Sequence, residues 1–315
     1  MDTHRMIKSG LHLLMLSSTA AALQRAQSHA MLDRRQALTA ASTSAWLLAS
    51  GSACSATVES LTDEEGNFVV DPRKANAGLM DPLAEPVGAY STISAAVAVA
   101  PSGATIIVRP GVYNERVTII RPITLMADGD VTLSWKSDRP YEAALTVALE
   151  RPISPAASTS RVVVSGLSVR HFSPSIAQNY AVYVPQPTSA AADGVGIEFQ
   201  RCAITSGSGS GVGVEGGDVT LERCQIASCK NHGVVYLGQT SRGKITNCTV
   251  EQCKLNGVLL RDGASPTLEG NRLRANGQYG AALIDCRGRY LKGNDAAGNG
   301  KGAVSGECDY YDEDG

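Results

Sequence analysis

Asp262 and Asp285 are the side chains of this sequence best placed to do chemistry. Each follows a glycine, Gly257 or Gly280, by five residues, and each has an arginine close by, Arg261 or Arg287. If the chain sets them on adjacent turns, two carboxylates about 5 Å apart could share a proton or hold a calcium ion. With Arg261 they form the candidate catalytic set. The competing reading is structural, because aspartate suits tight corners and a neighbouring arginine neutralises it. Cysteine gives a second constellation: Cys224-x4-Cys229 and Cys248-x4-Cys253, with Cys202 before them, could offer thiolates to a metal. A buried thiol also behaves as a small hydrophobe, so free, buried columns of cysteine are expected instead. Cys286 and Cys308, 22 residues apart, are expected to continue such a column. Parallel Cβ vectors between like positions disfavour disulfides. His171 and His232 are single histidines, expected at corners and without a second ligand at a recognisable spacing. No cofactor is assigned beyond the calcium option, and no metal site.

The elements that must position these residues are repeats. The segments IEFQRC, VTLERC, GKITNC, PTLEGN and RYLKGN end at Cys202, Cys224, Cys248, Asn271 and Asn294, in steps of 22, 24, 23 and 23 residues. A second register runs in step with the first, with Cys229, Cys253 and Asn276 in one column and Gly233, Gly257 and Gly280 in another. A period of this size marks a solenoid. Inside each period lie short alternating runs, such as Val219 and Leu221, then Val234 and Tyr236, separated by Asn, Gly, Ser and Lys. Alternation predicts half-buried strands and the polar clusters predict corners, with no room for a helix. The leucine-rich frame Leu-x-x-Leu-x-Leu is absent. The chain is therefore expected to be all-β, a right-handed parallel β-helix with two or three strands per coil. Tyr236 aligns with Leu260 and Leu283 and is expected in the core.

Before the repeats, Ser91–Pro101 predicts a short helix with a Ser/Thr start and a Pro stop, placed to cap the open end of the first coil. Strands are expected at 123–126, 131–135, 144–149, 161–169 and 180–184. The Ile93-Ser94-Ala95-Ala96 run and the stretch from Gly103 to Ile119 resemble the opening of pectin-lyase-like β-helix proteins. The frame Gly111-x-Tyr113-x-Glu115 resembles the first motif of pectin methylesterases. Gly257 to Leu268, followed by Asn271-x-Leu273 and Asn276-Gly277, resembles the carbohydrate-binding and sugar-hydrolase repeats of an F-box protein family and a periplasmic copper-site maturation protein. These resemblances imply the β-helix fold and do not single out an activity. The methylesterase aspartate motifs Gln-Asp-Thr-Leu and Asp-Phe-Ile-Phe-Gly do not occur, so Glu115 is expected to be structural. A polygalacturonase would need an Asn-Thr-Asp segment and clustered aspartates beside a His-Gly pair, and only His232-Gly233 is present. The Asp-Pro-His-Glu run of a mannuronan epimerase is absent.

Composition sets the remaining bounds. The chain has 315 residues, 32 glycines, 10 tyrosines, only 3 phenylalanines and a formal charge of −2, which gives no electrostatic footprint for nucleic acid. Met6 to Ala22 has the layout of a secretory signal, a basic start before LHLLML and STAAA. Asp33-Arg34-Arg35 precedes the apolar segment Ala37 to Gly51 and the small residues Ser52 to Ala56, which resembles a twin-arginine signal. In tandem they resemble the bipartite leader of a protein bound for the thylakoid lumen of a plastid. With Met31 as the start, they would read as bacterial export to the periplasm or medium. Cys54 is not assigned as a lipid anchor, since Gly51 stands where a leucine is usual. The expected organisation is a leader (1–30), an export signal (31–56), a linker (57–88), the β-helix (89–308) and an acidic tail (309–315), with no membrane span in the mature chain. The expected function is a non-catalytic coil face for polysaccharide or protein, with a polysaccharide lyase, esterase or hydrolase as the alternative.

Overall fold

A computed structural model describes residues 62–73, 89–150, 161–174, 179–188, 194–290 and 293–308. The leader, the export signal and the acidic tail expected from the sequence lie outside these residues.

One coil illustrates how the local sequence becomes structure. Gly217–Glu222 forms a strand whose Val219 and Leu221 are fully buried while Asp218, Thr220 and Glu222 face outward, the period-two pattern of a half-buried strand. A sharp corner leads to Gln225–Ala227, and a longer turn leads to Val234–Leu237. The chain then returns at Ser241–Thr246 to pair in parallel beside the strand where the coil began, Leu221 opposite Ile245. Repetition of this path builds three parallel sheets: sheet A with nine strands, sheet B with seven and sheet C with eight. A full coil thus has three strands, one in each sheet. The winding is that of a right-handed parallel β-helix, and its core is a set of vertical files such as Val164, Phe199, Leu221, Ile245 and Leu268.

The sequence columns are these files. Cys202, Cys224, Cys248 and Asn271 follow the corner between sheets A and B on successive coils, and Cys229, Cys253 and Asn276 follow the corner between sheets B and C. The residue before each is left-handed: Arg201, Arg223, Asn247 and Gly270 at φ 51, 52, 54 and 66°, and Ser228, Gln252 and Ala275 at 55, 56 and 54°. A non-glycine residue pays about 1–2 kcal/mol for that conformation. The turn it makes drives the next side chain inward, where it bonds to the neighbouring coil. The glycine column makes room for the second file. A Cβ on Gly233 would lie 3.2 Å from Cys253 Sγ and 2.2 Å from Val250 Cγ1, and one on Gly257 would lie 2.8 Å from Asn276 Nδ2.

The N-terminal end is closed by a helix, α1, Ile93–Val99, capped by the Thr92 hydroxyl, which accepts from Ala95 N–H. Glu115 reaches back to the same end and accepts from the amides of Ile93 (2.8 Å) and Ser94 (2.9 Å). Tyr113 donates to the Arg109 carbonyl at 2.9 Å. The Gly-x-Tyr-x-Glu frame therefore fastens the cap helix to the first coil, and Glu115 is structural as expected.

Two expectations are corrected. The stretch read as a linker, 57–88, contains a strand, Phe68–Val70, paired in parallel with Ile106–Val108 at the edge of sheet A; three apolar residues are too few to display a period. Cys286 and Cys308 do not form a free column but a disulfide, with Cα atoms 4.6 Å apart. Both lie beyond strand ends, after Tyr279–Ile284 and Gly302–Ser305, where their side chains are released from the parallel orientation of a sheet. Cys202, Cys224, Cys229, Cys248 and Cys253 are free and buried.

Candidate functional site

The aspartates singled out from the sequence stand at the corner between sheets C and A. Arg261 pairs with Ile284 across sheet C, which puts Asp262 and Asp285 next to each other on adjacent coils, both left-handed at φ 59 and 46°. Arg261 Nε holds Asp262 Oδ2 at 3.1 Å, with both side chains about half exposed, 49 and 55%. Exposed ion pairs of this kind contribute little to stability, and aspartate tolerates the left-handed corner. The structure thus brings Arg261 to Asp262 as an ion pair on the rim and stacks Asp285 beside it. Among the described residues, no group of three or more His, Cys, Asp or Glu side chains is arranged to hold a metal.

A richer constellation lies at the other end of the helix, on the turns that join sheets B and C in the second and third coils. Strand Val131–Lys136 runs beside Ser168–Phe172, with Trp135 opposite His171 and Lys136 opposite Phe172. The turn after the first of these strands is fixed by one carboxylate. Glu142 accepts from Ser137 Oγ (2.5 Å), Arg116 Nη1 (3.0 Å) and Trp135 Nε1 (3.3 Å). Its backbone carbonyl accepts from His171 Nε2 at 2.8 Å. Further bonds tie the same turn to the third coil: Ser137 N–H to Phe172 O (3.0 Å), Ser173 Oγ to Arg139 O (2.7 Å) and Ala144 N–H to Ala181 O (3.0 Å).

These bonds hold Tyr141 at φ 61° with its side chain outward, the residue 54% exposed. A bulky residue rarely adopts this conformation, which costs about 1–3 kcal/mol and persists only where the surroundings over-determine it. Phe172, on the neighbouring coil, is 44% exposed, whereas Phe68 and Phe199 are buried. Two exposed aromatic residues, one on the braced turn and one at the end of the neighbouring strand, therefore lie near Arg116, Lys136 and Arg139.

Beneath them, His171 and Ser206 form a buried pair, His171 Nδ1 to Ser206 Oγ at 2.9 Å. The network assigns the proton to Nε2, which donates to Glu142 O, so that Nδ1 accepts from the serine hydroxyl. The serine oxygen in turn accepts from Gly209 N–H at 2.9 Å. A serine beside a histidine is the arrangement of an activated nucleophile, but Ser206 is wholly buried and its bonds close the core corner. Burial also lowers the His171 pKa. His171 lies within a strand, not at the corner expected from the sequence. Tyr236 is fully buried and donates to Val219 O at 2.7 Å, a core residue as expected. The aromatic turn escaped sequence reading because 137–143 has no counterpart in the repeats. The one available signal was the unusual density of Trp, Tyr and Phe in a chain that has few.

A second apolar cluster lies on the outer face of sheet C, separate from the core: Tyr180, Val235, Leu259 and Ala282, with Tyr183 and Leu237 against it. Tyr180 and Tyr183 stack with centroids 5.4 Å apart, and the Tyr183 hydroxyl donates to Glu215 Oε2 at 2.7 Å. Val235, Leu259 and Ala282 are buried even though their strand neighbours Val234, Val258 and Ala281 face the core. This strip is therefore covered, unlike the rings of Tyr141 and Phe172.

Residues 157–311 match the family model of the right handed beta helix region. A search of curated proteins finds no match. Among solved structures, the chain is similar to pectate lyase Pel9A (12% identity over 78% of this chain and 76% of that one, TM-score 0.47). It is similar to the pectin methylesterase PemA from Erwinia chrysanthemi (13%, 70% and 81%, 0.43) and to a pectin methylesterase from Aspergillus niger (17%, 80% and 93%, 0.39). Its own sheet order and register make the chain a right-handed parallel β-helix, similar over 157–311 to the β-helix region.

Proposed function

We propose that this chain is an exported, non-catalytic β-helix protein that binds a carbohydrate chain on the turns between sheets B and C of its second and third coils. The observation that carries this reading is Tyr141, an exposed aromatic residue at positive φ in a turn braced on either side by the bonds of Ser137, Arg139 and Glu142. Tyr141 and Phe172 are exposed aromatic residues of the kind that pack on the CH face of a sugar. Arg116, Lys136 and Arg139 supply donors for its hydroxyl or acid groups. A braced turn has already met the ordering cost that a flexible one would meet on binding. The tandem leader supports export, to a thylakoid lumen or, with Met31 as start, to a periplasm or medium.

The test is calorimetry or affinity electrophoresis of the purified mature chain against a panel of plant and bacterial polysaccharides. Phe172→Ala is expected to weaken binding about tenfold, the effect of losing one stacked ring worth about 1.4 kcal/mol. Tyr141→Gly is more telling. It removes the ring and also relieves the positive φ, so binding falls while thermal stability holds or rises. Unchanged affinity in both variants would remove the site. Release of unsaturated uronides, methanol or reducing ends, abolished by Asp285→Asn, would instead establish the enzymatic alternative around Arg261, Asp262 and Asp285.

A further inference from the structure

A third ladder runs along the turns that enter sheet C. Ser210 Oγ accepts from His232 N–H (3.3 Å), His232 Nδ1 accepts from Asn256 N–H (3.3 Å), and Asn256 Oδ1 accepts from Tyr279 N–H (3.1 Å). Each rung works because a side-chain acceptor faces a backbone donor one coil further on. A hydroxyl and an amide keep an acceptor at any pH, but an imidazole keeps one only while it is neutral. Asn256 Nδ2 also stands 3.3 Å from His232 Nδ1. A proton on that nitrogen would turn the acceptor into a donor facing the Asn256 amide N–H.

His171 differs in this respect. Its two partners are the Ser206 hydroxyl and the Glu142 carbonyl, and both can accept. A second proton there keeps two hydrogen bonds. On His232 it breaks the rung. The rung lies at the entry to the covered strip of sheet C, since Val234–Leu237 and Val258–Arg261 start two residues after His232 and Asn256. These strands carry Val235 and Leu259 of the outer apolar cluster.

We propose that His232 is an acid-operated latch, whose protonation parts the turns of the fifth and sixth coils and uncovers the apolar strip beside them. Among the described residues, no carboxylate is hydrogen-bonded to His232. On the coil before, His232 faces Ser210, and on the coil after, Asn256, both uncharged; the charged residues of the adjoining turns are Lys230 and Lys254. Burial alone pushes the imidazole down, to about 4. An unfolded histidine titrates near 6.5. The folded form therefore binds fewer protons, and the stability of the rung is complete above about pH 6.5 and lost as pH falls toward the folded value.

Hydrogen exchange and histidine NMR titration of the full chain between pH 7.5 and 4 test the latch. After correction for intrinsic rates, opening at the Asn256 and Tyr279 amides is expected to rise about tenfold per pH unit below about 6.5, together with binding of an apolar dye. His232→Asn places in this rung the residue that already serves one coil on. It is expected to retain the neutral-pH protection and lose the acid response. An acid response of the same size in His232→Asn, or wild-type amides that keep constant protection to pH 4, would overturn the proposal. If the variant does not fold, an imidazole midpoint near 6.5 in the wild type would do the same.

Discussion

The corner columns use two chemistries, thiols in the earlier coils and amides in the later ones, and both meet the same need. At the corner between sheets A and B, Cys224 Sγ donates to Phe199 O (3.2 Å) and Cys248 Sγ to Leu221 O (3.4 Å), while Asn271 Nδ2 donates to Ile245 O (2.7 Å) and Asn294 Nδ2 to Leu268 O (2.8 Å). In every case the target carbonyl lies one coil back. The acceptor side matches as well: Cys248 Sγ receives Cys224 N–H at 3.4 Å, and Asn271 Oδ1 receives Cys248 N–H at 2.9 Å. An earlier rung of this column, Leu167, has no polar group at all. The left-handed corner before each rung is the same throughout. What the corner requires is thus an inward side chain of moderate size, and its polarity sets how tightly the coils are joined. A thiol costs little to bury but bonds weakly. An amide costs more unless both ends are bonded, and here both are.

Removing an amide rung should therefore do the most damage. Asn271→Leu keeps the volume but leaves the Cys248 N–H and the Ile245 carbonyl buried without their partner. At about 1–3 kcal/mol for each such group, the expected loss is about 4 kcal/mol, read from urea unfolding. Exchange should rise first in coils flanking Asn271, because a solenoid couples mainly to its nearest neighbours. A loss as small as that of a thiol rung would mean that the two chemistries are equivalent.

The next effect tests what the two regions share. Gly233→Ala would push a methyl to 2.2 Å from Val250 Cγ1 and 2.7 Å from the Gly257 carbonyl, so overpacking should cost about 2 kcal/mol. Thermal unfolding should fall by several degrees. Because Gly257 faces the amide of Asn276 where Gly233 faces the thiol of Cys253, the same change at Gly257 should cost more. Equal losses would show that the ladder side chain gives way in both places.

This economy explains what the sequence revealed. The columns were legible because each position has a local demand that few residues meet: a left-handed corner, an inward group that fits, and a glycine where the next coil's rung needs space. Asp262 was legible as a corner for the same reason, and its neutralisation by Arg261 followed from their adjacency in the chain. Trp135, Glu142, His171 and Ser206 were hidden because their partnership depends on turns of unequal length, and the bond from His171 to Ser206 joins residues 35 apart with no repeat to align them. Phe68–Val70 was hidden by brevity. The disulfide was hidden because a separation of 22 fits a free column as well as a bridge, and only the chain path beyond the strand ends distinguishes them.

The smallest effect belongs to the thiol rungs. Cys248→Ala removes a sulfur that donates to Leu221 O and accepts from Cys224 N–H, both at 3.4 Å. Bonds this long to sulfur are weak, so the expected cost is about 1 kcal/mol, mostly lost packing. Its bond to Cys224, and then burial, push the Cys248 thiol up, leaving little thiolate to react. Alkylation of the native chain should accordingly wait for unfolding, and the stability measured through it should match urea unfolding. A Cys248→Ala loss approaching that of Asn271→Leu would mean that sulfur carries the coil junction as firmly as the amide does, and the gradient from leucine to cysteine to asparagine along the column would then be one of size alone.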